Sequence, residues 1–211
     1  MSDFELKHKT AAKLSEHVAY KITQCLKFLL NIFYGRKYAK RAVILETIAA
    51  VPGMVAGMFN HLKALRRMKD DEGWIRELLD EAENERVHLM IFLDIAKPSW
   101  VERTLVLLGQ GAFIVVYSMI YVLSSKIAHR VVGYFEEEAC KSYTEYLDKI
   151  DCGEVENVAA PKIAVDYYQL AANAKLRDVV VKIREDEAKH RDRNHSFADA
   201  YENQELPAHQ H

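Results

Sequence analysis

Residues 85–88 read Glu-Arg-Val-His, and residues 187–190 read Glu-Ala-Lys-His. Both stretches are Glu-x-x-His, and each lies in a long segment with few helix-breaking residues. At positions i and i+3 of an α-helix, two side chains project from the same face. Each stretch can therefore present a carboxylate and an imidazole to one metal ion.

Two further glutamates can complete such a site. Glu46 lies within the apolar residues 43–48, where an unpaired charge is costly to bury, and Glu136 follows the aromatic pair at 134–135. One Glu from each of two helices, with Glu-x-x-His from two others, is the ligand set of ferritin-like di-iron bundles. A single Glu-x-x-His is more typical of an exposed helix, but the doubled pattern with two apolar-flanked glutamates predicts a metal centre. Its six predicted ligands are Glu46, Glu85, His88, Glu136, Glu187 and His190. Carboxylates and imidazoles suit both Fe(II) and Fe(III), so two iron ions are the expected cofactor.

The rest of the chain is also typical of an all-α protein. Its 211 residues contain only eight Gly and four Pro, so long stretches lack helix breakers. Apolar periodicity predicts six helices, at about 12–34, 39–67, 71–96, 100–125, 127–150 and 174–200. We expect one domain over residues 1–211, with a basic N-terminal segment and first helix at 1–34 and a frayed tail at 201–211.

Composition narrows the class of function. The net charge of −2 argues against a general nucleic-acid binder. Three cysteines without CxxC spacing indicate reduced thiols in an intracellular compartment, and the polar first twenty residues do not resemble a signal peptide. Residues 1–41 carry nine Lys/Arg against three Asp/Glu, which suits either a solvated helix or an anionic membrane surface. Composition alone slightly favours the solvated helix.

Residues 104–125 contain no Asp, Glu, Lys or Arg. A helix of that length can span a bilayer. However, Gly109, Gln110, Tyr117 and Tyr121 make it polar for a lone spanning helix. We therefore expect a helix that lies half in the protein and half in the membrane interface.

The segments around the four predicted ligand helices resemble the signature boxes of the alternative oxidases. They are residues 45–54 (LETIAAVPGM), 84–89 (NERVHL), 133–139 (GYFEEEA) and 184–190 (REDEAKH). The resemblance extends from about residue 15 to residue 200. Phe135, Val87 and Lys189 depart from the usual family residues, but none of these departures removes a ligand.

This resemblance implies a quinol oxidase that oxidises ubiquinol and reduces dioxygen to water without pumping protons. It implies a ferritin-like four-helix bundle with two additional long membrane-associated helices, at about 12–34 and 100–125. It also implies a homodimer that lies on one membrane leaflet. We expect it on the cytoplasmic face of a bacterial inner membrane, or on the matrix side of a mitochondrial inner membrane if the chain is a trimmed eukaryotic one.

Further residues take roles from the same resemblance. Tyr143 lies seven residues after Glu136 on the same helix face and is the expected catalytic, redox-active tyrosine. The expected quinol-binding residues are Arg41, Leu45, Glu138, Ala139 and Ser142, with Ser142 replacing the usual Thr. Asn84 and Asp186 are expected to hold the free ring nitrogens of the histidine ligands, and His129 and Tyr167 to lie near the site.

Two other functions fit the ligand set. A quinone-modifying di-iron hydroxylase would consume dioxygen by inserting it into an aromatic ring. A ferritin-like iron-handling protein would need the same ligands but no quinone, and it would present a polar outer surface. The uncharged residues 104–125 favour a lipid-soluble substrate over iron handling.

Overall fold

The computed structural model describes residues 6–34 and 37–203. Within these residues the chain forms seven helices and one isolated β-bridge between Ala159 and Lys175. The helices are α1 (Leu14–Tyr34), α2 (Tyr38–Arg67), α3 (Trp74–Ala96), α4 (Trp100–Leu123), α5 (Ser125–Asp151), α6 (Lys162–Tyr168) and α7 (Leu176–Asn203). The all-α prediction is confirmed, and the short α6 is an addition to the six predicted helices. Residues 204–211 of the predicted tail lie outside the described residues, whereas 201–203 continue α7.

Helices α2, α3, α5 and α7 form a four-helix bundle. Helix α5 packs along α7 and α2 packs along α3, while α2 and α5 also meet. The largest buried apolar cluster takes Val43 from α2, Phe92 from α3, Leu147 from α5 and Ile183 from α7. The other two long helices lie outside this bundle, with α1 against α5 and α4 against α2 and α5.

Side chains bond to the first turns of two helices. Ser99 and Glu102 form a capping box at the start of α4, where the sequence predicted a helix start. Helix α3 begins at Trp74, three residues later than predicted: its N-cap is Gly73, and Asp71 lies just outside the helix. Its Oδ2 accepts a hydrogen bond from the Ile75 amide at 2.6 Å.

Helices α2 and α3 approach each other closely at Gly53. A Cβ atom at Gly53 would lie 2.4 Å from the carbonyl oxygen of Leu78 and 3.0 Å from Cβ of Ala82. At Gly57, one turn further along, a Cβ atom would lie 3.2 Å from the side chain of Leu79. The backbones can meet at this distance because glycine has no side chain.

Helices α2 and α4 are both long and apolar enough to cross a membrane, by length and composition alone. They differ in burial: 78% of the apolar stretch of α2 is buried, against 11% of that of α4. In α4 the buried side chains are Tyr117 and Tyr121. Its leucines, valines and Met119 are largely exposed, so the outer face of α4 is apolar and is not covered by the described part of this chain.

The basic N-terminal residues lie against carboxylates of α5 and α7. The backbone amide of Lys9 donates to Oε1 of Glu137 at 2.9 Å, and its ammonium group contacts Asp199 at 2.9 Å. The His8 ring also contacts Glu137. Part of the positive charge of residues 1–41 is therefore paired within the protein.

Candidate metal centre

The six predicted ligands come from the four helices of the bundle and face its interior. Helix α2 supplies Glu46, α3 supplies Glu85 and His88, α5 supplies Glu136, and α7 supplies Glu187 and His190. The first five of these are exposed by only 0 to 1%, and His190 by 9%. Helical spacing thus places both halves of each Glu-x-x-His on the buried face, as predicted from positions i and i+3.

Four of the six form a tight group around one ring nitrogen. Nδ1 of His88 lies 3.3 Å from Glu46 Oε2, 3.2 Å from Glu187 Oε1 and 3.6 Å from Glu85 Oε2. The candidate ligand atoms of these four residues all lie within 4.8 Å of one another. This spacing allows one metal ion to contact several of them.

The other two predicted ligands adjoin this group. Nδ1 of His190 lies 2.6 Å from Glu85 Oε1, and the two histidine rings are 6.4 Å apart between centroids. The side chain of Glu136 lies within hydrogen-bonding reach of Glu187. The structure therefore brings all six residues into one cluster.

Several buried polar atoms in this cluster have no hydrogen-bond partner in the structure. They are Glu46 Oε2, both carboxylate oxygens of Glu85, His88 Nδ1, Glu136 Oε2, Glu187 Oε1 and His190 Nδ1. Buried carboxylate oxygens and ring nitrogens without partners are costly, unless a cation binds them. Oxygen and imidazole donors in this number fit a metal such as iron. The cluster can therefore hold metal.

The pKa values of three carboxyl groups in the cluster also indicate a cation-binding site. Burial, followed by the charge on Glu46, raises the pKa of Glu85 well above its usual value. Burial and the neighbouring Glu187 likewise raise the pKa of Glu136. Burial, with the charges of Glu85 and Glu46, raises the pKa of Glu187 to about 8. Carboxyl groups that resist ionisation in the metal-free protein release their protons when a cation binds.

Glu46 differs from the other carboxylates. Burial opposes its ionisation, but hydrogen bonding and the charge of His88 outweigh burial and hold its pKa below the usual value. The hydroxyl of Tyr143 also donates a hydrogen bond to Glu46 Oε1. The Tyr143 ring is buried and stacks on Phe92 at 5.8 Å between centroids. The expected catalytic tyrosine therefore contacts a predicted ligand directly.

A polar network lies behind His88. The hydroxyl of Tyr168 is 2.8 Å from His88 Nε2 and donates to Asp186 Oδ2 at 2.9 Å, whereas Asp186 itself is 3.6 Å from that nitrogen. Asn84 donates to Tyr167 at 2.8 Å and to Asp186 at 3.3 Å. Asp186 thus reaches His88 through Tyr168, and Asn84 contacts Tyr167 and Asp186 instead of a histidine ring.

This network assigns the tautomer of His88. Tyr168 has one proton and gives it to Asp186, so the Tyr168 oxygen accepts the hydrogen bond from His88 Nε2–H. Nε2 of His88 thereby keeps its proton, so Nδ1, which faces the carboxylates, is the nitrogen that can bind metal once it has released its own proton. Tyr168 follows Tyr167, which was expected near the site, and its contact with His88 depends on helix α6, which was not predicted.

His129 is connected to the predicted ligand His190 through one other residue, Asn194. Its Nδ1 is 3.1 Å from Asn194 Oδ1, and Asn194 in turn donates to the carbonyl of His190 at 3.0 Å and to Glu81 at 2.8 Å. Burial lowers the pKa of His129 to about 4, so its ring is neutral. Asn194 and Glu81 were missed in the sequence, although each is four residues from a predicted ligand and so shares its helix face.

The predicted quinol-binding residues lie on α2 and α5, next to Glu46 and Tyr143. Leu45, Ala139 and Ser142 are buried, and Nε of Arg41 is buried without a hydrogen-bond partner. Glu138 instead forms ion pairs with Lys27 at 2.5 Å and Lys141 at 2.9 Å. Three of the five residues are therefore buried, whereas Arg41 and Glu138 are partly exposed.

Comparison with known proteins adds a family to this geometry. Residues 1–199 match the family model described as alternative oxidase. The chain is 53% identical over 201 residues to ubiquinol oxidase 1c, mitochondrial, of Arabidopsis thaliana, an alignment covering 95% of this chain and 61% of the relative. It is 53% identical to ubiquinol oxidase 1a, mitochondrial, of Oryza sativa subsp. japonica (95% and 60% covered). It is 52% identical to ubiquinol oxidase 2, mitochondrial, of Nicotiana tabacum (95% and 68% covered). The chain spans about three fifths of the length of the first two relatives.

Proposed function

The chain belongs to the alternative oxidase family, and we propose that it is a terminal quinol oxidase. In this proposal, it oxidises ubiquinol and reduces dioxygen to water without pumping protons. The similar proteins named ubiquinol oxidase support the substrate. The observation that carries the proposal is the buried Glu/His cluster, in which several carboxylate oxygens and ring nitrogens lack a hydrogen-bond partner.

We propose that Glu46, Glu85, His88, Glu136, Glu187 and His190 hold two iron ions. When bound, iron would supply the redox chemistry that links quinol to dioxygen. The protein would fix the metal-facing atoms, since Tyr168 and Asp186 orient His88 and Tyr143 orients Glu46. We further propose that Asn84, His129, Asp186 and Tyr167 support the ligands from outside.

For the substrate, we propose that quinol binds beside Arg41, Leu45, Glu138, Ala139 and Ser142. Arg41 has a buried donor without a partner, which suits a ring oxygen, and Leu45 and Ala139 offer apolar contacts. Tyr143 follows Ser142 in the sequence and bonds to Glu46. These two observations support our proposal that Tyr143 passes an electron and a proton between quinol and the metal centre.

We propose that the protein is monotopic and binds the membrane through α1 and α4. The apolar outer face of α4 and the exposed Phe28 of α1 support this placement, because such surface is costly in water. The quinol pocket would then open towards the lipid that dissolves the substrate. The membrane would be a bacterial inner membrane at its cytoplasmic face, or a mitochondrial inner membrane at its matrix side.

We propose that the chain forms one domain and assembles as a homodimer. Met54, Met58, Leu62 and Leu65 are exposed along one side of α2, and Leu79 of α3 lies beside them. Apolar residues spaced by three and four positions form a continuous stripe on a helix. A second copy of this chain would bury this stripe symmetrically.

Quinol-driven oxygen uptake in membranes containing cyanide tests the function. The wild type should consume dioxygen and yield oxidised quinol with an unmodified ring, and Glu85→Ala should be inactive because both Glu85 oxygens face the cluster. Ring-hydroxylated quinone among the products would indicate the hydroxylase instead. Absence of uptake by iron-loaded wild type would refute the proposed function.

A further inference from the structure

A polar groove of about 610 Å³ lies between α3 and α7. We call it the α3–α7 groove, and it is lined among others by Glu77, Glu81 and Asn84 of α3 and by His190, Arg193 and Ser196 of α7. Helix α4 packs against α2 and α5, so the groove lies on a different side of the bundle from the apolar face of α4. If α4 faces lipid, the groove faces water.

The groove reaches the metal centre at His190. This residue is 9% exposed, whereas the other five predicted ligands are exposed by no more than 1%. Its Nδ1 has no hydrogen-bond partner and lies 2.6 Å from Glu85 Oε1, inside the cluster. Asn84, also 9% exposed, lines the same groove with an unpartnered Oδ1. Two buried side chains, each with one polar atom that lacks a hydrogen-bond partner, thus lie between the groove and the other ligands.

Glu81 differs from the other carboxylates of the groove. Glu77 pairs with Arg193 at 2.9 Å, and Asp186 with Lys189 at 2.7 Å. Glu81, by contrast, receives only the amide of Asn194, at 2.8 and 3.1 Å, and forms no ion pair with the residues that the structure describes. Glu81 is 6% exposed, and burial raises its pKa to about 7.

The position of Glu81 on α3 connects this carboxylate to the metal centre. Glu81 precedes Glu85 by four residues and so shares its helix face, and Asn84, three residues after Glu81, lines the same groove. Oxygen donors therefore follow one another from the groove to the cluster. A hydrated divalent cation prefers such donors and would exchange its water molecules for them one at a time.

From this arrangement we propose that the α3–α7 groove is the route by which Fe²⁺ enters the protein, with Glu81 as the first protein ligand that the ion meets. The proposal rests on the proposed di-iron centre. It assigns Glu81 a role in loading the metal, not in the oxidase reaction itself.

The experiment follows Fe²⁺ uptake by the metal-free full chain in detergent without oxygen. Fe²⁺ is supplied from a weak coloured chelator, and its loss from the chelator gives the rate. Glu81→Gln should slow uptake about tenfold, the scale of an electrostatic steering effect, while the final iron content stays at the wild-type value. Glu83→Gln is the matched control: it removes the same charge from an exposed position of α3, and its uptake should be unchanged.

A second variant leaves the interior intact. Ser196 is exposed in the groove, so Ser196→Lys should slow uptake at low ionic strength, and salt should restore the rate. Asn173→Lys introduces the same charge at an exposed position outside the α3–α7 groove, so its uptake rate should be unchanged. If Glu81→Gln fails to fold, the comparison of Ser196→Lys with Asn173→Lys still tests the proposed route.

Wild-type uptake rates for both Glu81→Gln and Ser196→Lys would overturn the proposal. A lower final iron content for Glu81→Gln at an unchanged rate would also overturn it, because Glu81 would then stabilise the loaded centre. If the wild type binds no iron at all, the proposed function fails instead, so the two failures are distinguishable.

Discussion

Replacing Tyr168 with phenylalanine removes one oxygen from the metal-centre surroundings and leaves the ring. That oxygen is 2.8 Å from His88 Nε2 and 2.9 Å from Asp186 Oδ2. Asp186 cannot take its place without moving, since it is 3.6 Å from the same nitrogen. In Tyr168→Phe, His88 therefore loses the partner that fixes its ring and its tautomer.

The expected magnitude follows from the lost contact. A buried hydrogen bond of this kind contributes about 1.5 kcal/mol, and each 1.4 kcal/mol changes an equilibrium constant about tenfold. We therefore expect Fe²⁺ to bind about tenfold more weakly, at the lower end of the range of about 10- to 100-fold seen for partners of metal-bound histidines.

Competition with a chelator of known affinity measures this change in the full-length protein. Tyr38→Phe is the matched control, because it removes a tyrosine hydroxyl at the start of α2, where the ring stacks on Tyr146 and not on a histidine. Its Fe²⁺ affinity should stay close to that of the wild type. An unchanged dissociation constant for Tyr168→Phe would refute the assigned role, as would equal losses for the two variants.

Three further predictions follow. Gly53→Ala should lower the free energy of unfolding by about 1–3 kcal/mol, because its Cβ would lie 2.4 Å from the Leu78 carbonyl oxygen. Gly109→Ala, with open space around residue 109, should not be destabilised. Denaturant titration compares the two variants. Tyr143→Phe should reduce quinol-driven oxygen uptake about a hundredfold at wild-type iron content, and a fully active variant would exclude a catalytic role. Without metal, the folded protein keeps the Glu187 proton up to about pH 8, whereas the unfolded chain releases it near pH 4.5. The free energy of unfolding of the metal-free protein should therefore fall as the pH rises between these values, and iron should remove that dependence. A free energy of unfolding that does not change with pH in the absence of iron would contradict the raised pKa of Glu187.

The convergence of the six predicted ligands could be predicted from the sequence because it depends on local geometry. Within one helix the spacing of Glu85 and His88 fixes a shared face, and the apolar neighbours of Glu46 fix which face is buried. The same reasoning places Tyr143 on the face of Glu136. These inferences need only helical periodicity and the cost of burying charge.

The surroundings of the ligands depend on contacts between distant segments, which spacing does not determine. Tyr168 reaches His88 from α6, after an irregular stretch with no clear periodicity. Lys9 belongs to the basic residues 1–41, and its backbone amide contacts Glu137 of α5 while its ammonium group pairs with Asp199 of α7. No pattern within residues 1–41 indicates these partners.

The close crossing at Gly53 also sets the distance between two of the predicted metal ligands, Glu46 and Glu85. Glu46 lies seven residues before Gly53, and Glu85 lies seven residues after Leu78, the residue that Gly53 meets. Seven residues rise about 10.5 Å along a helix, so both carboxylates sit equally far from the point where the two backbones touch. Contact between backbones therefore sets the span between two ligands from different helices. A larger side chain at residue 53 would push α2 and α3 apart and widen that span without altering any ligand. Such a substitution offers a way to change which metal the protein prefers.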